Sequence, residues 1–226
     1  MSTHHSKSIH SEMKQLMDRQ PYSVVLNGLH LTVDEDVFPP DLGRCARNMA
    51  KLSKSYAPRR ALDMGCGSGY LALMLKCHGA EEVWASDSHP AAIRCAGKNA
   101  AQNAHNGSIT VVQGDLFEGI PTSIKFNLIM FNQPFGPGQG DPVCGCGPDG
   151  GYQITKRFLL EAPAYLACDG VIMMAFSDRA APENSPEYVA KELGYPIHTL
   201  LHQFYNESNN FIYDIRLPKL GYNCGD

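Results

Sequence analysis

From Arg60 onward the chain alternates short apolar runs with longer stretches whose apolar residues recur at helical spacing. The run Ala61-Leu-Asp-Met64 breaks at Gly65-Cys-Gly-Ser-Gly69. It resumes as Tyr70-Leu-Ala-Leu-Met-Leu-Lys-Cys77, apolar enough for a helix lying on a sheet, with Gly79 as its stop. Glu82–Asp87 reads as a second strand, residues 90–103 as an alanine-rich helix and Ile109–Gln113 as a β-branched strand. Phe126–Phe131 is apolar at nearly every position, as a strand covered on both faces must be. Between the last two, residues 115–125 are too short, and too broken by Gly119 and Pro121, for a crossover helix. Further on, the pattern predicts a helix over 152–166, a buried strand over 170–176 and a helix over 185–193. It closes with strands over 197–204 and 211–217, joined by a polar turn. This repetition specifies an α/β fold with a mostly parallel, doubly wound sheet, and the closing pair puts an antiparallel strand near the C-terminus.

Upstream the periodicity changes. Ile9, Met13, Leu16 and Met17 mark a short amphipathic helix within 6–19, which Pro21 ends. Tyr22–Leu26 and Leu29–Val33 flank Asn27-Gly28, a hairpin signal. Residues 34–40, with three acids and two prolines, form a loop. Asp41 then caps a helix running to Tyr56, with Leu42, Cys45, Met49 and Leu52 on one face. Residues 1–57 thus form a helical and hairpin cap segment, and 58–226 the α/β domain.

Composition narrows the setting. The 226 residues are 43% apolar, enough for a packed core, and carry a net charge of −4, so no strong overall field draws the chain to nucleic acid or an anionic membrane. The densest basic stretch, Lys51, Lys54, Arg59 and Arg60, reads as a solvated helix end. No apolar run approaches the roughly 20 residues of a membrane helix. Eight cysteines fall largely within helical and strand patterns, as buried free thiols would, with no leader before them. The expectation is a reducing, cytoplasmic compartment without a disulfide framework. Cys144-Gly-Cys146 lacks a second pair, and His198 and His202 lie on a strand without a protease glutamate, so no metal is expected.

The candidate chemistry lies at strand ends. Gly65, Gly67 and Gly69 permit a sharp turn and close approach of a ligand to the backbone, with Asp63 beside them at the strand's carboxyl end. Asp87, about 20 residues on, suits the grip on ribose hydroxyls in a nucleoside-binding βαβ unit; by itself it is equally a helix cap. Asp115 can accept from an exocyclic amine such as adenine N6 beside apolar Leu116 and Phe117, or simply form a turn. Asn132-Gln-Pro-Phe135 follows a buried strand. The Asn132 side-chain oxygen and the Gln133 backbone carbonyl can both accept N–H bonds from one planar amine or amide, with Phe135 available to stack.

In this order the motifs resemble class I S-adenosylmethionine-dependent methyltransferases, in the small-methyltransferase branch with an Asn-Pro-Pro-Tyr-type motif. That branch includes release-factor glutamine, ribosomal RNA guanine N2 and adenine N6 methyltransferases. The likeness spans about residues 34–217, and Gly147-Pro-Asp-Gly-Gly151 is similar to a segment of the glutamine enzymes. It implies a Rossmann-like, seven-stranded sheet and S-adenosylmethionine as cofactor. Gly65, Gly67 and Gly69 would pass the cofactor's amino-acid end with Asp63 near its ammonium. Asp87 and Ser88 would take the ribose, and Asp115 and Leu116 the adenine. Asn132, the Gln133 backbone, Pro134 and Phe135 would hold the acceptor nitrogen. Gln133 and Phe135 replace the family's Pro and Tyr, and the added amide can bond a substrate.

The reading is thus an N-methyltransferase acting on an amine or amide of a small molecule or protein side chain. Nucleic-acid exocyclic amines are the alternative acceptor. A nicotinamide-dependent reductase is a second alternative, disfavoured by Tyr70 after the third glycine, and a non-catalytic scaffold a third.

Overall fold

The computed structural model describes residues 9–42, 44–103, 108–134, 152–205 and 207–218. Seven strands form one sheet: β3 (Arg60–Met64), β4 (Glu82–Asp87), β5 (Ile109–Gln113), β6 (Phe126–Phe131), β7 (Leu166–Ser177), β8 (Ile197–Tyr205) and β9 (Ser208–Arg216). A separate hairpin of β1 (Tyr22–Leu26) and β2 (Leu29–Val33) precedes them. The sheet order is β5-β4-β3-β6-β7-β9-β8, parallel from β5 to β7, with β9 antiparallel to both β7 and β8. The chain therefore starts in mid-sheet, works outward to β5 and then crosses back beside β3. That reversal opens a crevice at the carboxyl ends of β3 and β6.

Both faces are covered because the central strands are apolar on both. Ala61, Leu128, Met130, Val171 and Met173 point to the side of α2 (Cys45–Ser53), α3 (Tyr70–Cys77) and α4 (Pro90–Gln102). Leu62, Met64, Ile129, Phe131, Ile172 and Met174 point to the side of α5 (Tyr152–Glu161) and α6 (Pro186–Glu192). The period-2 alternation of the pleat thus feeds two cores. Met49 is fully buried, so α2 is part of the first core. The β1–β2 hairpin docks on α4 through Asn99, whose side-chain oxygen accepts from Thr32 N at 2.8 Å while its amide donates to Thr32 O at 2.9 Å.

The structure corrects several expected element bounds; the last strand, expected over 211–217, runs over Ser208–Arg216, because residues 208–210 of the expected turn pair with β8. The first helix, α1, runs over Ile9–Met17 among the described residues and ends before 19; residues 6–8 lie outside them. Asp41 caps nothing: it accepts from the Tyr22 hydroxyl, and α2 begins at Cys45 after Arg44, which makes no side-chain cap bond. The α5 helix ends at Glu161 and tightens into a 3₁₀ turn over Ala162–Tyr165, where Pro163 lacks the N–H that an α-turn would use. The following strand begins at Leu166, pairs with Phe126, and reaches its main register only after an irregularity opposite Gly170. A Cβ on Gly170 would stand 2.8 Å from Phe126 O, so glycine permits the kink.

One cysteine departs from the expected free thiols: exposed Cys168 is disulfide-bonded. Cys45, Cys66, Cys77 and Cys95 are free. No helix among the described residues is long and apolar enough to cross a membrane, and no group of three metal-ligating side chains occurs among them.

Candidate active site

A cavity of about 350 Å³ lies along the carboxyl ends of β3, β4 and β6. Its floor is the turn from β3 to α3. Gly65, Gly67 and Gly69 all have positive φ, at 66°, 51° and 78°. A Cβ on Gly65 would approach the Phe131 ring at 3.3 Å, whereas one on Gly67 would meet nothing within 4 Å. Gly65 and Gly67 line the cavity; Gly69 does not. It sits at the N-cap of α3, 3.1 Å (by its missing Cβ) from Ala96 Cα, so its role is to let α3 pack against α4.

Two carboxylates hold this turn. Asp63 is buried, with Oδ2 accepting from Ala72 N at 3.0 Å in the first turn of α3. Burial pushes its pKa up to about 8; the Ala72 N–H pulls it down, and the neighbouring Asp87 charge pushes it up further. Asp87 accepts from Gly67 N through Oδ2 and from His89 N through Oδ1, each at 2.9 Å. Each oxygen retains acceptor capacity on the cavity side. The Cys66 thiol in the turn is driven well above its usual pKa by burial and by Asp63 and Asp87, so it is no nucleophile. Ser88 lines the cavity and is exposed.

Asp115 and Leu116 follow β5. Leu116 is buried at φ 53°, a conformation costly for a branched side chain, and its carbonyl accepts from Ser86 Oγ at 3.1 Å. The Asp115 carboxylate is exposed and pairs with Arg157 of α5 at 3.0 Å.

Asn132, Gln133 and Pro134 follow β6 and line the cavity. The Asn132 side-chain oxygen is buried with no hydrogen-bond partner. Buried polar atoms are nearly always paired, so this orphan marks where a ligand N–H belongs. The Gln133 side chain, whose amide the sequence offered to a substrate, is buried at the cavity, and its Oε1 accepts from Thr155 Oγ1 at 2.7 Å. It fastens the loop to α5. Phe135 and the segment 147–151 lie outside the described residues.

Sequence reasoning missed the opposite wall. Phe38, Pro39, Arg44, Ser177, Arg179 and Tyr205 also line the cavity. Ser177 and Arg179 obey the strand-end rule applied to β3 to β6, and that signal would have found them.

The chain matches the model of the methyltransferase small domain over residues 46–185 and belongs to that family. It is a methyltransferase that uses S-adenosylmethionine. It is 26% identical over 183 residues to a putative protein N5-glutamine methyltransferase of Methanocaldococcus jannaschii, covering 77% of this chain and 88% of that protein. It is 34% identical over 140 residues to the release factor glutamine methyltransferase of Deinococcus radiodurans, covering 57% of this chain and 49%, about half, of the relative. Among solved structures, the T. thermophilus 16S rRNA N2 G1207 methyltransferase with AdoMet and guanosine superposes with a TM-score of 0.63 at 21% identity. That superposition covers 87% of this chain and 50% of the other, and the likeness is one of fold.

The residues present fit the cofactor. The turn bears no Cβ at the two glycines facing the cavity, and Asp63 is a buried carboxyl in want of a cation. Asp87 has acceptor capacity for two hydroxyls.

Proposed function

We propose that this protein is an N-methyltransferase whose acceptor is a side-chain amide of a protein, with a small-molecule amine or amide as the related possibility. The observation that carries this reading is the unpartnered Asn132 oxygen at the end of β6. An amide or amine N–H satisfies it, while a hydroxyl or carbon acceptor has less need of such a partner. The relatives named as glutamine methyltransferases of proteins support an amide.

S-adenosylmethionine supplies a methyl group activated on a sulfonium. In this reading Asp63 faces its ammonium, Gly65 and Gly67 give room for its amino-acid end, Asp87 and Ser88 take the ribose, and Asp115 and Leu116 flank the adenine. Gly69 acts on that turn indirectly, by seating α3. Asn132 accepts one N–H of the acceptor and the Gln133 carbonyl a second, with Pro134 and Phe135 completing the pocket. Two fixed acceptors would orient the acceptor nitrogen; as its bond to the methyl carbon formed, the sulfonium–methyl bond would break, S-adenosylhomocysteine would leave and one N–H proton would pass to water. Alignment of this kind is worth up to roughly 7–11 kcal/mol of barrier. As positive charge develops on nitrogen, the Asn132 oxygen holds the N–H more tightly, adding about 3 kcal/mol. Gln133, clamped by Thr155, keeps the two acceptors in register. In this reading the segment before residue 58 caps the catalytic domain in part only: its loop lines the cavity with Phe38 and Pro39, while α2 packs into the core of the sheet itself. A cytoplasmic location accords with such an acceptor.

The test is transfer of labelled methyl from S-adenosylmethionine to fractionated protein, metabolite and RNA pools. Label in protein glutamine supports the reading. Label in RNA, with binding that weakens steeply as salt rises, favours the exocyclic-amine alternative, for which the guanosine-bound neighbour is the fold-level precedent.

A further inference from the structure

The rim of the sheet is divided electrically at Asn132. On one side of β6, Asp63 and Asp87 lie on β3 and β4, and Asp115 follows β5. On the other side the cavity is lined from β7, β8 and β9 and the loop after β7, by Ser177, Arg179, Tyr205 and Asn210. Among the described residues no cavity-lining carboxylate comes from those strands or that loop; the fourth lining carboxylate, Asp36, lies in the loop after β2. Asp178, between Ser177 and Arg179, is outside the lining and is held by Asn209, through the backbone N at 2.9 Å and the side-chain amide at 2.6 Å.

Two cations meet at this end. Arg179 is half-buried, and its Nε donates to Ser208 Oγ at 3.1 Å, which fixes the guanidinium plane. Arg44, just before α2, lies with its guanidinium carbon 4.1 Å from the centre of the Tyr205 ring. Among the described residues no carboxylate pairs with Arg44. Between the arginines and Asn132 stands Ser177, 1% exposed, whose hydroxyl oxygen has no hydrogen-bond partner. A buried hydroxyl left without a partner is a vacancy for a ligand atom. Guanidinium forks match planar carboxylates closely.

We propose that this end of the cavity binds a carboxylate of the methyl acceptor, gripped by Arg179 and Arg44, with the Ser177 hydroxyl donating to it. The proposal rests on the methyl-transfer reading and specifies its substrate. Phe131 pairs with Met174, so Asn132 is level with Ala175, and Ser177 stands one strand over and two residues further along. Strand spacing and rise put the backbone positions of Asn132 and Ser177 roughly 8 Å apart, which sets the scale of the span between the amide and the carboxylate. The acceptor therefore carries an amide and a carboxylate separated by a short aliphatic chain. The carboxylate belongs either to a free amido acid or to an acidic residue beside the modified side chain of a protein.

The experiment titrates the protein saturated with S-adenosylhomocysteine. The probes are glutaramate, which has an amide at one end and a carboxylate at the other, and glutaramide, its neutral diamide. A second arm compares a glutamine peptide flanked by glutamates with one flanked by alanines. Glutaramate, or the acidic peptide, should bind at least tenfold more tightly than its neutral counterpart. Preference in the first arm identifies a free amido acid, and preference in the second alone identifies a protein acid. Arg179→Gln and, separately, surface Arg44→Gln should each cut that affinity about tenfold with S-adenosylhomocysteine affinity unchanged, which also reports that the variants fold. Equal binding of charged and neutral probes, or none by either charged probe while the cofactor product binds, overturns the proposal alone. Failure of the wild-type protein to bind S-adenosylhomocysteine overturns the methyl-transfer reading instead.

Discussion

Replacing Asp63 with Asn tests the electrostatics of the cofactor cradle directly. The amide keeps an oxygen for Ala72 N, so the cap on α3 survives, but it cannot ionise. In the ligand-free protein burial holds the carboxyl near a pKa of about 8, against 3.8 when unfolded. The unfolded chain thus binds fewer protons than the folded one between these values. Stability falls as pH rises through that window and levels off above it. At about 1.4 kcal/mol for each pH unit, the loss has an upper bound on the order of 5 kcal/mol. Asp63→Asn removes it, and for a domain of this size each kcal/mol moves Tm by roughly 2–4 °C. The variant should therefore melt above wild type at pH 8.5, by roughly 5–10 °C, and the gap should shrink steadily toward pH 5. Its affinity for S-adenosylhomocysteine should fall about 100-fold, since the ligand ammonium loses its buried partner. Wild-type binding at pH 6.5 should release about one proton, measured by calorimetry in buffers of differing ionisation enthalpy, and the variant none. A variant that melts no higher at pH 8.5 and binds with unchanged affinity and proton count would refute the assignment of Asp63 as a strained carboxyl awaiting a cation.

Asn132→Ala should lower the rate of methyl transfer by at least 100-fold while leaving S-adenosylhomocysteine affinity within twofold; full turnover would mean the acceptor nitrogen is held elsewhere. Thr155→Val removes the hydroxyl that clamps Gln133 with little change of volume. It should lower kcat about tenfold at unchanged cofactor affinity, and an unchanged kcat would show that the clamp does not align the loop. Gly69→Ala forces a positive φ on a side chain and drives a Cβ to 3.1 Å from Ala96. Denaturant unfolding should register a loss of about 2–3 kcal/mol, and a stability within 0.5 kcal/mol of wild type (about the spread of neutral surface changes) would show that the α3–α4 contact yields.

The sheet was legible because each central strand is an apolar run bounded by punctuation. Glu82–Asp87, Ile109–Gln113 and Phe126–Phe131 carry the same bounds in the sequence reading and in the structure. What the sequence could place was the convergence of Asp63, Asp87 and Asn132, at or just past strand ends, on one cavity. Errors arose where a local signal competed with a distant partner. Asp41 has the look of a cap, yet the Tyr22 hydroxyl on the hairpin takes its carboxylate. Gln133 reads as an open amide because nothing local engages it; its partner Thr155 lies 22 residues on, in another element. Gly69 belongs to the same motif as Gly65 and Gly67, but the neighbour that demands it, Ala96, belongs to a helix whose packing no motif encodes. Arg44 and Arg179 share the cavity though 135 positions apart, and only the fold brings such pairs into view.

The α5 helix has a further bearing on the site, through two of its faces. Within three consecutive positions, Thr155 ties down the loop after β6 and Arg157 ties down the loop after β5. In the proposed reading, the sides of the cavity that take the donor and the acceptor thus both touch one helix. A partner protein or substitution that tilts this helix would slacken both pockets at once, so the two ligands should feel each other's arrival without touching.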